Sequence, residues 1–383
     1  MSPWSARLFA EVFEILTGSV RARLASGAVV LTCLFLTACG EIPSGAGVRV
    51  GEELFERIAY SKDFTIGDIR SITVLPAATS RGATIVVGGV SGAALLRPDG
   101  AVSSIVPFSA RVQNAAVLDL KNDGSLEYMN RGGGWSPVRL LDAEGKSVWE
   151  YPSSKSDAAP DAMAVGDLDS DGNLEFVVGM NGGGGLRVLD EQGIEVWRQP
   201  ASNVFSVEVL DTNEDGKPEI IHSQGGQSDA GIWVRNGDGG VIRKLQPGFL
   251  SFSVLRWPTS KSAPTLLGVV NSDALHIVNF SGEMIAEFKF PDRAYGYVMG
   301  SGVRLGSGEK SYLAVVRTIR ATWDRSALYV FDTDSKLVYH EIFPVGFLGL
   351  AVPPPDERGI ESFLVGAGSS VSRYVLKSSP GAR

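Results

Sequence analysis

The stretch from Asp167 to Trp197 constrains this chain most, because the chain contains it three times. It runs D-L-D-S-D-G-N-L-E-F-V-V-G-M-N-G-G-G-G-L-R-V-L-D-E-Q-G-I-E-V-W. Asp167, Asp169 and Asp171 alternate with other residues, then come Gly172 and Glu175. An apolar run, Phe176 to Val178, follows at once, so the acidic loop leads into a strand. A glycine-rich turn, a second strand over Leu186–Leu189, a D-x-x-G turn and a third strand ending on Trp197 complete the unit. One copy starts at Asp119 with D-L-K-N-D-G-S-L-E-Y-M-N and closes with L-L-D-A-E-G-K-S-V-W at Trp149. Another starts at Asp211 with D-T-N-E-D-G-K-P-E-I-I-H and continues through I-W-V-R-N-G-D-G-G-V-I. The three starts lie 48 and 44 residues apart.

A repeat of roughly 40–50 residues with four short strands is the spacing of a β-propeller blade. The expected fold is all-β, a seven-bladed propeller, with six or eight blades as alternatives because blades five to seven lack the acidic marker. The expected blades run Ile69–Phe108, Ala115–Tyr151, Ala162–Gln199, Val204–Gln246, Ser251–Phe290, Tyr297–Phe343 and from Leu348 onward. The last shows only three strands, Leu348–Val352, Ser362–Val365 and Val371–Leu376. A ring must close or leave sheet edges exposed. The N-terminal segment is therefore expected to close the last blade, with Arg57 to Phe64 as the candidate strand. Glu52 to Tyr60 suits either a short helix or an edge strand.

The first residues follow a different logic. Arg21 and Arg23 precede a short apolar stretch, Ala28 to Leu36, and then Leu36-Thr37-Ala38-Cys39. The stretch is too short to stay as a membrane span. This pattern resembles the signal peptide and lipobox of bacterial lipoproteins. The resemblance implies that residues 1–38 are removed and Cys39 is lipidated, anchoring the chain to the membrane. Residues 39–51 then form a tether to one propeller domain over residues 52–379. By analogy with enterobacterial lipoprotein sorting, Gly40 after the cysteine implies the outer membrane of the cell envelope. With Cys33 removed, only Cys39 remains, so neither a disulfide nor a thiolate metal site is available. The formal charge of −8 becomes about −9 without residues 1–38, which argues against nucleic acid as a partner.

Alternating carboxylates on a tight loop converge on one point. They repel unless a hard cation takes oxygen ligands from all of them. Gly172 permits the sharp turn. The spacing D-x-[DN]-x-D-G-x-x-E is carried by Asp167, Asp169, Asp171 and Glu175, and by Asp211, Asn213, Asp215 and Glu219. It resembles the calcium loops of FG-GAP/VCBS repeats, as in integrin α-chain propellers. The resemblance implies Ca2+ as cofactor, with Asn173 and Lys217 ligating through backbone carbonyls. An EF-hand would need a carboxylate at its twelfth position, here Val178, and flanking helices. In blade two Lys121 takes the third position, where its ammonium could neutralise Asp119, Asp123 and Glu127 in place of a metal. The metal-free alternative is an Asx-rich turn whose carboxylates cap backbone amides. A bound ion is expected to stiffen a hairpin, at the affinity of roughly 10⁻⁴–10⁻³ M of extracellular calcium modules.

L-D-x-x-G-x-x-x-W, ending at Trp149 and at Trp197, looks like the tryptophan-docking repeats of PQQ-type propellers. That implies packing of both tryptophans between neighbouring blades; no motif for a bound quinone accompanies it. Turns joining second and third strands fall on the face opposite the acidic loops. They place Asn130, Arg131, Trp135, Asn181 and Gln224, with Arg320 and Trp323 of a longer blade-six turn, around one mouth. Glycines there allow close approach, and Trp and Arg are favoured anchors. The expected partner is an envelope protein or a glycan, and the expected function a binding or scaffold module. Ordinary flexible turns are the plainer reading. The rival is a propeller enzyme, hydrolase or lyase, with its site in the central channel. His222, His276 and His340 are scattered one to a blade, and G-x-S-x-G, H-E-x-x-H and phosphate-loop motifs are absent.

Overall fold

A computed structural model describes residues 49–51, 54–62, 64–75, 84–109, 114–120, 125–131, 136–153, 158–226, 230–247, 252–256, 265–270, 273–291, 300–305, 311–319, 325–355 and 361–377. Residues 1–48, with Cys39 and the expected signal peptide, lie outside the described residues. Among those described, every regular element is a strand, and no helix is long and apolar enough to cross a membrane.

Seven antiparallel sheets form a ring, a seven-bladed β-propeller. Blade one comprises, from the axis outward, Ile69–Leu75, Thr84–Gly89, Gly92–Leu96 and Val102–Pro107. Blade two is Asn114–Leu118, Glu127–Arg131, Val138–Leu141 and Ser147–Tyr151. Blade three is Pro160–Gly166, Glu175–Met180, Leu186–Leu189 and Glu195–Gln199; blade four is Val207–Leu210, Glu219–Gln224, Gly231–Arg235 and Val241–Pro247. Blade five is Phe252–Arg256, Thr265–Val270, Ala274–Val278 and Met284–Lys289; blade six is Gly300–Leu305, Tyr312–Thr318, Ser326–Asp332 and Leu337–Phe343. Leu348–Ala351, Ser362–Ala367 and Ser370–Leu376 begin blade seven.

The core is a set of wedges between neighbouring blades. Second strands are pressed on both faces, so they are mostly buried: every residue of Glu175–Met180 after the first is buried, as are the first five of Glu219–Gln224. Outer strands meet a neighbour on one face only and alternate, as Glu195–Gln199 does. Met129 and Leu140 of blade two pack with Phe176 and Val178 of blade three. Val177 and Val188 of blade three pack with Val207 and Ile220 of blade four. Between blades five and six the filling is aromatic, Phe288 and Phe290 against Tyr329 and Phe331.

Phe55–Lys62 supplies the missing outer strand of blade seven, with Phe55 opposite Leu376 and Lys62 opposite Ser370. Its bounds fall two residues before those expected, and the ambiguous segment at Glu52–Tyr60 resolves as an edge strand in its described part. The end of the expected tether is also structured. Arg49 and Val50 pair with Glu341 and His340, adding a fifth strand to blade six. These two extended residues cover part of the outer edge of that blade. An ion pair between half-buried Arg57 and buried Glu341 lies inside this seam. Glu341, almost fully buried, accepts from Arg57 Nη1 at 2.6 Å and from the hydroxyls of Tyr339 and Tyr374 at 2.8 and 2.6 Å. Arg57 also donates to Ser372 Oγ and faces the rings of Phe343 and Tyr374.

Candidate functional site

The acidic loops of blades three and four connect innermost to second strands and follow one backbone path. Ser170 and Gly172 have φ of 64° and 91°; Glu214 and Gly216 have 62° and 85°. Glycine takes the left-handed conformation freely, whereas Ser170 and Glu214 hold it at some cost in strain. Carboxylates maintain the path. Asp167 accepts from the N–H groups of Asp171 and Gly172, and Asp211 from those of Asp215 and Gly216. The closing glutamate reaches back in the same way: Glu175 to Leu168 N–H at 2.8 Å, Glu219 to Thr212 N–H at 2.8 Å. In blade two Glu127 accepts from Leu120 N–H at 3.1 Å, so the strand-opening glutamate does the same work there. Lys121 and Asp123 lie outside the described residues.

The two loops differ at their third position. In blade three, oxygens of Asp167, Asp169 and Glu175 all lie within 4.8 Å of one another. Burial pushes the Glu175 carboxyl up, and the charges of Asp169, Asp171 and Asp167 push it further. Asp171 is held below its usual range by the N–H and side-chain amide of Asn173. In blade four Asn213 replaces the central carboxylate. Its amide nitrogen donates to Asp215 Oδ2 at 3.2 Å and Glu219 Oε1 at 3.1 Å, so a neutral donor meets the negative charge locally. Asp211 is held low chiefly by the Gly216 N–H. Blade three is thus an all-oxygen cluster met only by backbone N–H groups and the Asn173 amide, whose donor set fits a hard divalent cation. The blade-four loop fits one only after its Asn213 amide turns its oxygen inward. Asn173 and Lys217 donate their N–H groups to Asp171 and Asp215 respectively. Strands flank both loops, so the EF-hand geometry is absent here.

The D-x-x-G turns lie at the same end of the blades as the acidic loops; Glu191 of one such turn accepts from Leu174 N–H. Asp190 Oδ1 accepts from the N–H groups of Gln192 and Ile194, and Gly193 is left-handed with φ 77°. The Trp149 ring lies against this glycine from the preceding blade. A Cβ on Gly193 would sit 2.7 Å from it, while Trp149 Nε1 donates to Glu191 O at 3.1 Å. Trp149 also meets Phe176 edge-on. Trp197 reaches Gly239 of blade four with its ring edge, 3.2 Å from where a Cβ would sit, beside the side chain of Gln199. Both tryptophans are inter-blade packing.

At the opposite end, Asn181 Oδ1 accepts from Ala159 N–H and Asn203 Oδ1 from Gly182 N–H. Asn181 therefore braces the entry to blade three, and Asn203 the crossing from blade three to blade four. Gln224 ends the second strand of blade four, half-buried. Asn130 and Arg131 end the second strand of blade two, with side chains outside the described part. Trp135, Arg320 and Trp323 lie outside the described residues, so Asn181 and Gln224 alone of the expected mouth have side chains whose surroundings are known.

The histidines do not converge. His222 is fully buried, its Nδ1 on Ser223 O and its Nε2 accepting from Arg235 Nε at 2.9 Å. Burial pulls it down to about 4. His276 faces Glu287, and His340 stacks on Tyr329. Sequence gave no sign of Glu208, on the innermost strand of blade four. It keeps contact with solvent, yet protein atoms crowd it, and this desolvation pushes its carboxyl up to about 7. Open access to water works against a larger shift.

No family model and no curated protein matches the chain. Among solved structures it is similar to BBS1N in complex with ARL6DN, at 12% identity and a TM-score of 0.52, over 85% of this chain and 96% of that one. It is also similar to the V. cholerae biofilm matrix protein Bap1, at 12% identity and a TM-score of 0.43, over 85% of this chain and 71% of that one. The first likeness is one of fold.

Proposed function

We propose that this chain is a lipid-anchored, extracytoplasmic propeller of the bacterial cell envelope, held to the outer membrane through Cys39. Its blade-three and blade-four loops are of the FG-GAP/VCBS calcium type, and it acts as a protein- or glycan-binding or scaffold module. The observation that carries the calcium reading is the convergence of Asp167, Asp169 and Glu175 on one point, in a loop whose path recurs in blade four. Asp167, Asp169, Asp171 and Glu175 would hold the ion with the Asn173 carbonyl; Asp211, Asn213, Asp215 and Glu219 would do so with the carbonyl of Lys217. A bound Ca2+ supplies the positive charge that these carboxylates otherwise lack, and it stabilises the folded ring by mass action. BBS1N is seen in complex with ARL6DN; for this chain a partner on the glycine-rich face is a proposal resting on its own turns. Gly182 and Gly183 are open enough there for close approach.

The first test is a thermal melt of the protein in chelator and across a calcium titration, with magnesium as control. A calcium-specific rise supports the reading, and no response ends it. A second reading, a channel enzyme of hydrolase or lyase type, would rest on Glu208 alone, an exposed acid on an innermost strand whose carboxyl is pushed up by neighbouring protein atoms. Turnover of any substrate in a hydrolase and lyase panel that is lost in Glu208→Gln would move the assignment there.

A further inference from the structure

The outer strands carry a second regularity. In blades one to five the turn before the outer strand exposes one carboxylate: Asp99, Glu144, Glu191, Asp238 and Glu283. A few residues later each outer strand exposes aliphatic side chains, from Val102 in blade one to Met284 and Ile285 in blade five. In blade three Ile194 and Val196 are 64% and 59% exposed; in blade four Val241 and Ile242 are each 52% exposed. A single exposed aliphatic needs no explanation. At least one exposed aliphatic within three residues of the turn glycine in five successive blades does.

Blade six shows what such an edge accepts. Its turn exposes Asp334, and Leu337 and Val338 follow, but both are half-buried. The N-terminal segment lies against Val338. Arg49–Val50 pairs along the outer strand, Gly51 lies against the Val338 carbonyl, and Leu54 joins Val338 in one apolar cluster. Within this molecule, an acidic turn followed by an aliphatic edge is closed by an extended strand.

We propose that the outer edges of blades three and four dock an extended segment of a partner protein as a fifth strand. Its aliphatic side chains meet Ile194, Val196, Val241 and Ile242, and its basic side chains meet Glu191 and Asp238. Free N–H and C=O groups along an edge strand provide the affinity, and cross-strand aliphatic pairs fix the register. The turn carboxylates select basic segments over acidic ones. The net charge of −8 disfavours an anionic lipid surface as the occupant. This surface is separate from the glycine-rich face.

The probe is a short peptide of alternating lysine and valine, compared with glutamate–valine and lysine–serine peptides of equal length. With the lysine–valine peptide bound to the full chain, hydrogen exchange is expected to slow in Glu195–Gln199 or Val241–Pro247. Ile194→Ser/Val196→Ser and Val241→Ser/Ile242→Ser, combined, are expected to weaken binding about tenfold without moving the melting point. If the combined variant melts lower, each double variant alone carries the comparison. Equal binding of either control peptide would overturn the proposal, as would protection confined to the glycine-rich turns or none at all. Rim-dependent binding of phosphatidylcholine vesicles without peptide binding would assign the surface to lipid and likewise overturn it.

Discussion

Arg57 Nη1 and Glu341 Oε1 lie 2.6 Å apart at the seam where the outer strand of blade seven meets the outer strand of blade six. Glu341 is 2% exposed and has no water to fall back on. Removing its partner strands a charge, whereas removing the charge strands only polar groups that keep one another. Arg57→Ala is expected to cost about 3–5 kcal/mol in urea unfolding. Glu341→Gln should cost clearly less, because both tyrosine hydroxyls keep an acceptor. Equal costs would mean that the seam depends on packing and not on charge.

The Trp149–Gly193 contact predicts a coupled pair. Gly193→Ala forces a Cβ toward the indole at a residue whose φ of 77° already disfavours it. Trp149→Ala alone should cost about 3–5 kcal/mol as a large-to-small change. The double variant should be less unstable than the sum of its singles by about 1 kcal/mol or more, since the clash is then gone. Strict additivity in a double-mutant cycle would count against this contact.

Buried His222 predicts a pH window. Its folded pKa, about 4, lies below the ordinary 6.5. Between these values the unfolded chain binds the extra proton, so stability rises with pH and is complete above about 6.5. Acidification from there to about 4 should remove on the order of 3 kcal/mol, while His222→Gln should flatten this part of the profile. Urea melts across that range decide the matter.

Asp169→Ala is expected to lower the melting temperature in calcium and leave it nearly unchanged in chelator. An equal drop in both media would mean that the loop is a plain Asx turn. Asn213→Asp should behave in the opposite sense. It removes the amide that sits between Asp215 and Glu219, so it should melt lower in chelator and respond more strongly to calcium.

For the anchor, Cys39→Ser is expected to move the protein from the membrane fraction to the soluble one and to abolish labelling by palmitate. Retention in the membrane by the variant would leave the lipid reading without support.

The ring was legible in sequence because each blade repeats local instructions: an acidic loop, an apolar second strand, a D-x-x-G turn. Such instructions survive as pattern even where later blades lose the acids. The Trp149–Gly193 and Trp197–Gly239 contacts were legible for the same reason, being set by one spacing. What escaped has no local pattern. Arg57 and Glu341 are ordinary charged residues in separate strands, joined only when the ring closes. Arg49 and Val50 are too few to show a period, so they passed for tether. The contrast between the two loops turns on which way the Asn213 amide faces, a side-chain torsion that composition does not encode. The aliphatic rim was visible residue by residue, but exposure is a property of the assembled edge.

Phe55 pairs with Leu376, so the first strand of the ring finds its seat only against the last. This gives the propeller high contact order at a single joint, while each blade by itself is built from neighbours. During synthesis the closing strand emerges first and waits for the whole domain behind it. The ring therefore locks late and in one step. Loss of Ser370–Leu376 would free Phe55–Lys62 as well, leaving two unpaired sheet edges from one truncation and inviting exchange of that strand with another copy.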